Sequence, residues 1–252
     1  MPLYFFLHLL TSPTAKLSKN NTNVLIISGL DLAIIPVSLL LGYILPSILM
    51  CLPVSTTAHQ QFIAFWQPFP IWTIMIQSTI RFFASRLSKR ETRTSTKSAE
   101  ESYLDAAAPR YRLVFGLCMI THIPVIAIAL LSPTTLLGYS PTLTRFLQST
   151  FSDIFIPYGL DTNYKVSSLA AGALNFLHWD FYVGGTAFIV WASALYRDAE
   201  KQSTLGTGSG DAWWKLIWKI IAYTLISGPV GASTVLLWER DAILRQKKEK
   251  DI

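Results

Sequence analysis

A chain of 252 residues that is 51% hydrophobic and only 14% charged lacks the surface charge of a soluble domain, about 25%. Its formal net charge is +6, and the charges gather at residues 81–112, 197–219 and 239–251, between long apolar runs. No basic stripe with interleaved aromatic residues falls on a soluble element, which excludes a nucleic-acid partner, and the two cysteines, Cys51 and Cys118, sit in or beside apolar runs without metal-ligand spacing or a disulfide framework.

The pattern predicts an all-α fold, a polytopic transmembrane helix bundle of five to seven spans, with the lipid bilayer as its solvent. Residues 1–252 read as a single membrane-embedded helical domain. The start, "MPLYFFLHLLTSP", has no basic region and an apolar run of about eight residues, too short to span. It reads as an interfacial segment. Residues 24–50 form the first span, kinked at Pro36 and Pro46. Residues 62–83 form the second, aromatic and broken near Pro68 and Pro70. A polar loop is expected over 84–112. The third span covers 113–132 and holds His122, beside Pro124. Residues 133–165 are mixed, with an interfacial helix near 143–156. The fourth span covers 166–196, a flexible linker, "STLGTGSG", follows at 203–210, and the fifth span covers 213–238.

The orientation of this set is in conflict. The basic loop at 84–112 belongs in the cytoplasm by the positive-inside rule. Five spans then put the C-terminal tail outside, although it carries Arg240, Arg245, Lys247, Lys248 and Lys250. One more crossing within 133–196 would remove the conflict.

Ionisable groups within spans are costly, about 2.5–3.5 kcal/mol at a helix centre on insertion scales, and function is their default explanation. Asp180 is the first candidate. It shares a helical face with Gly184, Ala187 and Trp191, while His178, about 200° away, lines up with Asn175, Tyr182 and Gly185. Asp31 is the second, on a stripe of Ser28, Asp31, Ser38 and Gly42. A carboxylate pairing with a neighbouring span is its plain alternative. Glu239 is the third, at the end of a span with Asp241 close behind. His122 and the glutamines Gln67 and Gln77 read as structural hydrogen-bonding residues. Aromatic residues make up 13% of the chain. Those at span ends serve an interface belt, whereas Trp66, Trp72, Trp179 and Tyr182 could steady a cation by their ring faces.

A carboxylic acid in an apolar pocket keeps its proton and can give it to an epoxide or an alkene. Isolated acids, aromatic walls and no metal or cofactor motif fit that chemistry on a lipid-soluble polyene. The stretches "GALNFLHWDFYVGG" at 172–185, "SGPVGASTVLLWERD" at 227–241 and, more weakly, "FWQPFPIW" at 65–72 resemble the small integral-membrane terpene cyclases of fungal meroterpenoid biosynthesis. The resemblance implies a membrane helix bundle, in the endoplasmic reticulum, that cyclises prenylated or epoxyprenylated substrates by protonation without a metal. It points to Asp180 and Glu239 as the acids; Asp31 rests on the helical-face argument. Asn175, His178, Trp179, Tyr182, Trp66 and Trp72 are the expected substrate-binding residues. The alternative is a small multi-span transporter or binding protein with a polar intramembrane path.

Overall fold

The computed structural model describes residues 29–87, 99–130, 151–158, 168–203 and 211–250. The described residues are helical with short connections and include no strand. By length and composition, three stretches among them can cross a membrane: Leu30–Met50, Asp105–Leu130 and Trp213–Gln246. The expected N-terminal interfacial segment and the 203–210 linker lie outside the described residues, apart from Ser203, which ends a helix. The chain divides into two compact units, one ending at Arg110 and one running from Tyr111 onward.

The first unit begins with α1 (Gly29–Leu39), which passes through a π-helical turn at Leu40–Ile44 into α2 (Leu45–Met50). Next come α3 (Thr56–Trp66), N-capped by the Ser55 hydroxyl, and α4 (Phe69–Leu87). The break between α3 and α4 falls at Gln67 and Pro68, where the sequence places it, because neither Pro68 nor Pro70 can donate a backbone bond. Of the stripe read in the sequence, Ser28 lies outside the described residues, and Asp31, Ser38 and Gly42 form the seam with α4. Asp31 meets Arg81 at 3.2 Å, Ser38 Oγ donates to Gln77 Oε1 at 2.8 Å, and Gln77 Nε2 donates to the Asp31 carbonyl at 3.0 Å. Gly42 completes the register: a Cβ there would lie 2.6 Å from Thr73 Cγ2 and 2.8 Å from its backbone nitrogen. The pairs 31/81, 38/77 and 42/73 define antiparallel helices in close approach, with small residues where the backbones meet.

Helix α5 (Ala99–Leu130) gives its first residues to this unit, where Arg110 Nε donates to the Leu32 carbonyl at 3.1 Å. The polar loop expected over 84–112 is therefore corrected. Residues 84–87 close α4 and 99–112 open α5, so only 88–98 remain between them. The reason is local: "AEESYLDAAA" is a run of good helix formers, and its charge does not stop it from coiling.

The second unit packs the rest of α5 with α7 (Leu169–Ser203) and α8 (Asp211–Lys250); the short α6 (Phe151–Phe155) precedes them. Its core is formed by Ala192, Leu216 and Leu236, with Trp191, Tyr196, Ile220 and Leu237 packed around them. Helix α7 is long enough to span, and its polar turn around His178 and Asp180 dilutes its apolar run.

Helix α8 is not straight. Lys219 Nζ forms an ion pair with Glu239, twenty residues away, which in one continuous helix would lie roughly 30 Å apart. The chain folds back at Gly228, whose φ of 69° and ψ of 177° break the helix. The first arm runs beside α7, pairing Lys219 with Tyr196, and the break itself meets α7 where Pro229 lies against Gly185. The second arm runs back beside α5, pairing Gly231 with Cys118 and Asp241 with Tyr111. The start of α5's part of this unit, the end of α7 and both free ends of α8 thus share one charged end. This resolves the orientation conflict. The basic tail returns to the side where α8 begins because the presumed fifth span doubles back, and no extra crossing within 133–196 is required.

Candidate functional site

The break in α8 sets the geometry of the second unit's interior. Pro229 has no N–H, so the Leu225 carbonyl loses its helical partner, and the Gly228 conformation withdraws another. The hydroxyls beside the break bond back one turn within their own arms, and a histidine reaches the backbone of the first arm. Ser227 Oγ donates to the Tyr223 carbonyl at 2.7 Å, Ser233 Oγ to Pro229 at 2.9 Å and Thr234 Oγ1 to Val230 at 2.8 Å. His122 of α5 hydrogen-bonds to the backbone of Thr224. The His122 ring also lies against Gly228, where a Cβ would come within 3.3 Å of Nδ1. His122 thus fills the structural role read for it.

On α7, the face Asn175–His178–Tyr182–Gly185 is half-buried at Asn175, His178 and Gly185 and exposed at Tyr182. Gly185 abuts the Pro229 ring, with a built Cβ 2.8 Å from Cγ. The Tyr182 hydroxyl donates to the Phe155 carbonyl, and Trp179 Nε1 donates to the Tyr158 carbonyl at 3.3 Å, so residues 155–158 lie across α7 at this level. His122 and Phe155 meet edge to face at 6.4 Å. Asn175 Oδ1 and His178 Nδ1 are buried and have no hydrogen-bond partner. An unsatisfied buried donor or acceptor costs about 1–3 kcal/mol, and this pair shares that state with Ser193 Oγ, Arg197 Nε, Thr224 Oγ1 and Arg240 Nε.

Asp180 leaves α7 on the other side and is exposed. No hydrogen bond or ion pair engages it among the described residues. A Cβ on Gly184, one turn further along its face, would meet nothing within 4 Å. Trp191 continues that face and stacks on Phe188 at 5.7 Å. The Asp180–Gly184 part of the predicted stripe is therefore an open flank, while Trp191 packs against the core. The sequence reading of Asp180 as a buried acid is corrected, because the helices of its own unit pack on α7's other faces.

Within the second unit, Asp180 and Glu239 do not converge. Lys219, which holds Glu239, reaches Tyr196, sixteen residues from Asp180 and thus roughly 24 Å along α7. Glu239 belongs to the charged end, and its cation Lys219 also lies over the Tyr196 ring at 5.0 Å. Asp31 is in the first unit, paired with Arg81. So are Trp66, whose Nε1 donates to Ser47 Oγ at 3.0 Å, and Trp72, whose Nε1 donates to the Phe65 carbonyl at 2.8 Å and whose ring stacks on Phe65 at 5.5 Å. Both rings are built into local packing.

The charged end also holds a cluster that the sequence did not single out. Asp241 is buried, accepts from the Tyr111 hydroxyl at 2.8 Å and lies 3.5 Å from the buried Arg240 guanidinium. Arg112 stands over the Trp238 ring at 5.5 Å. In sequence these are ordinary charges at a span end. Only the return of the second arm places Asp241 beside Tyr111, 130 residues away.

The fold and its interior define a helical membrane protein with polar groups set around a broken helix. Residues 1–245 match the family profile described as the CtvD domain. Among curated proteins the chain is similar to terpene cyclase ascI of Acremonium egyptiacum, with 30% identity over 97% of this chain and 59% of that protein. It is also similar to terpene cyclase ctvD of Aspergillus terreus, 31% identical over 83% and 54%, and to terpene cyclase atmA of Aspergillus flavus, 26% identical over 81% and 53%. The chain thus spans a little over half the length of these curated relatives. No solved structure matches. The chain belongs to the CtvD-domain family, that of the fungal integral-membrane terpene cyclases.

Proposed function

We propose that this protein is a terpene cyclase that acts by protonation, without a metal, on a prenylated or epoxyprenylated meroterpenoid or sesquiterpenoid substrate in the endoplasmic reticulum membrane. Asp180 is the general acid. The observation that carries the assignment is the state of the three candidate carboxyls. Asp31 and Glu239 each hold a cation, whereas Asp180 has no ion pair or hydrogen bond among the described residues and borders an open flank at Gly184. A carboxyl engaged by a guanidinium or ammonium group is occupied by that partner, whereas one without a partner is open to a substrate.

In this reading the polyene enters sideways from the bilayer and lies along the Asp180 face. The Asp180 O–H proton passes to the epoxide oxygen or terminal alkene. The C–O bond or π bond opens, the remaining alkenes close onto the cation in turn, and a C–H proton leaves to a base. Trp191, stacked on Phe188, presents a ring to the developing positive charge. Kinship with proteins named terpene cyclases supports the reaction class.

The test is turnover of a farnesylated epoxide in microsomes carrying the full chain. Asp180→Asn, which keeps shape and removes the acid, should lower product formation by about 10²–10⁴-fold at equal expression. Full activity in that variant removes Asp180 from the role. Uptake of the epoxide without any cyclised product would favour the transporter reading.

A further inference from the structure

We propose that Asn175 and His178 form a second, internal binding site, which takes the hydroxyl group of a neutral lipid-soluble alcohol. The inference goes beyond the cyclase reading, because these two side chains leave α7 on the side opposite Asp180. Asn175 and His178 stand one turn apart on the half-buried face, and Asn175 Oδ1 and His178 Nδ1 are both buried without a partner. Three nearby polar side chains are engaged elsewhere. Tyr182 donates to Phe155, Trp179 donates to Tyr158, and His122 is bound to the Thr224 backbone. The contact of Gly185 with Pro229 closes the stripe toward the broken helix.

What remains is one acceptor and one imidazole nitrogen that can carry a proton, set side by side. A hydroxyl matches both: its O–H donates to Asn175 Oδ1 and its oxygen accepts from His178 Nδ1–H. An ether oxygen can meet only the imidazole, and a hydrocarbon meets neither. A carboxylate would set negative oxygen against the Asn175 carbonyl oxygen. The adjoining α7 side chains Leu174, Phe176 and Leu177 are exposed and apolar, so the remainder of the ligand is a hydrocarbon that arrives from the bilayer.

Farnesol and farnesyl methyl ether probe the site, because they differ by a single hydrogen-bond donor. Their binding to the full chain in phosphatidylcholine nanodiscs is measured by displacement of tritiated farnesol. Farnesol should bind about tenfold more tightly than the ether, as one extra hydrogen bond in a dry site requires. Asn175→Leu and His178→Phe should each erase that preference, and Asp180→Asn should retain it. Equal affinities in the wild-type chain overturn the proposal, as does a preference that survives both substitutions; a site filled by water alone gives the first of these results. Should either variant fail to fold, Asn175→Ser and His178→Gln replace them, and the wild-type ratio already decides. Loss of turnover in Asp180→Asn with the preference intact keeps the failure of one proposal separate from that of the other.

Discussion

Replacing Gly228 by alanine tests the fold-back of α8. The glycine has φ 69° and ψ 177°, a region that residues with a Cβ avoid, at a cost of about 1–3 kcal/mol. The new Cβ would also sit 3.3 Å from His122 Nδ1, on a ring already bonded to the Thr224 backbone, so the ring cannot simply swing aside. Together these give a loss of about 2–4 kcal/mol. The assay pairs thermal unfolding in micelles with a distance between spin labels at Lys215 and Gln246, one on each arm and both exposed. In a continuous helix these sites would be roughly 46 Å apart, and in a folded-back pair of arms about half that or less. Wild-type protein should give the short distance. Gly228→Ala should lower the unfolding temperature and broaden the distribution toward longer values. A wild-type distance near the straight-helix value, or an alanine variant as stable as the parent, refutes the fold-back.

Gly42→Ala should lower stability by about 1–3 kcal/mol, because its Cβ would meet the Thr73 backbone rather than a movable side-chain tip; a melting curve unchanged within error contradicts the α1–α4 register. Tyr111→Phe leaves the buried Asp241 carboxylate without its phenol donor and should cost about 1.5–3 kcal/mol in denaturant unfolding. An unaltered midpoint would mean that Asp241 has other support. Lys219→Met should destabilise more than Lys219→Met combined with Glu239→Gln, since the single change strands a carboxylate in a half-buried site. Additive effects in that double-mutant cycle would show that the two arms do not meet there.

Hydropathy and helical periodicity determined the class of the protein and much of one seam. Apolar runs of spanning length force backbone groups to pair within helices, so the all-helical membrane architecture follows from composition alone. The stripe of Asp31, Ser38 and Gly42 was legible because close helix approach needs small or hydrogen-bonding residues at a fixed step, and these are the residues that α4 meets. The division of α7 into an Asp180 face and an Asn175–His178–Tyr182 face likewise follows from the residue spacing. Tertiary structure alone decided which face is covered, because periodicity says that two sides differ and not which side has a neighbour. It also decided that "SGPVG" reverses the chain and does not merely kink it, since proline permits either outcome and the backbone at Gly228 selects one. That reversal carries Asp241 to Tyr111 and Glu239 to Lys219, and it sets Glu239 far from Asp180. Contacts between arms of one run depend on the path of the backbone through space, which no local pattern of residues records.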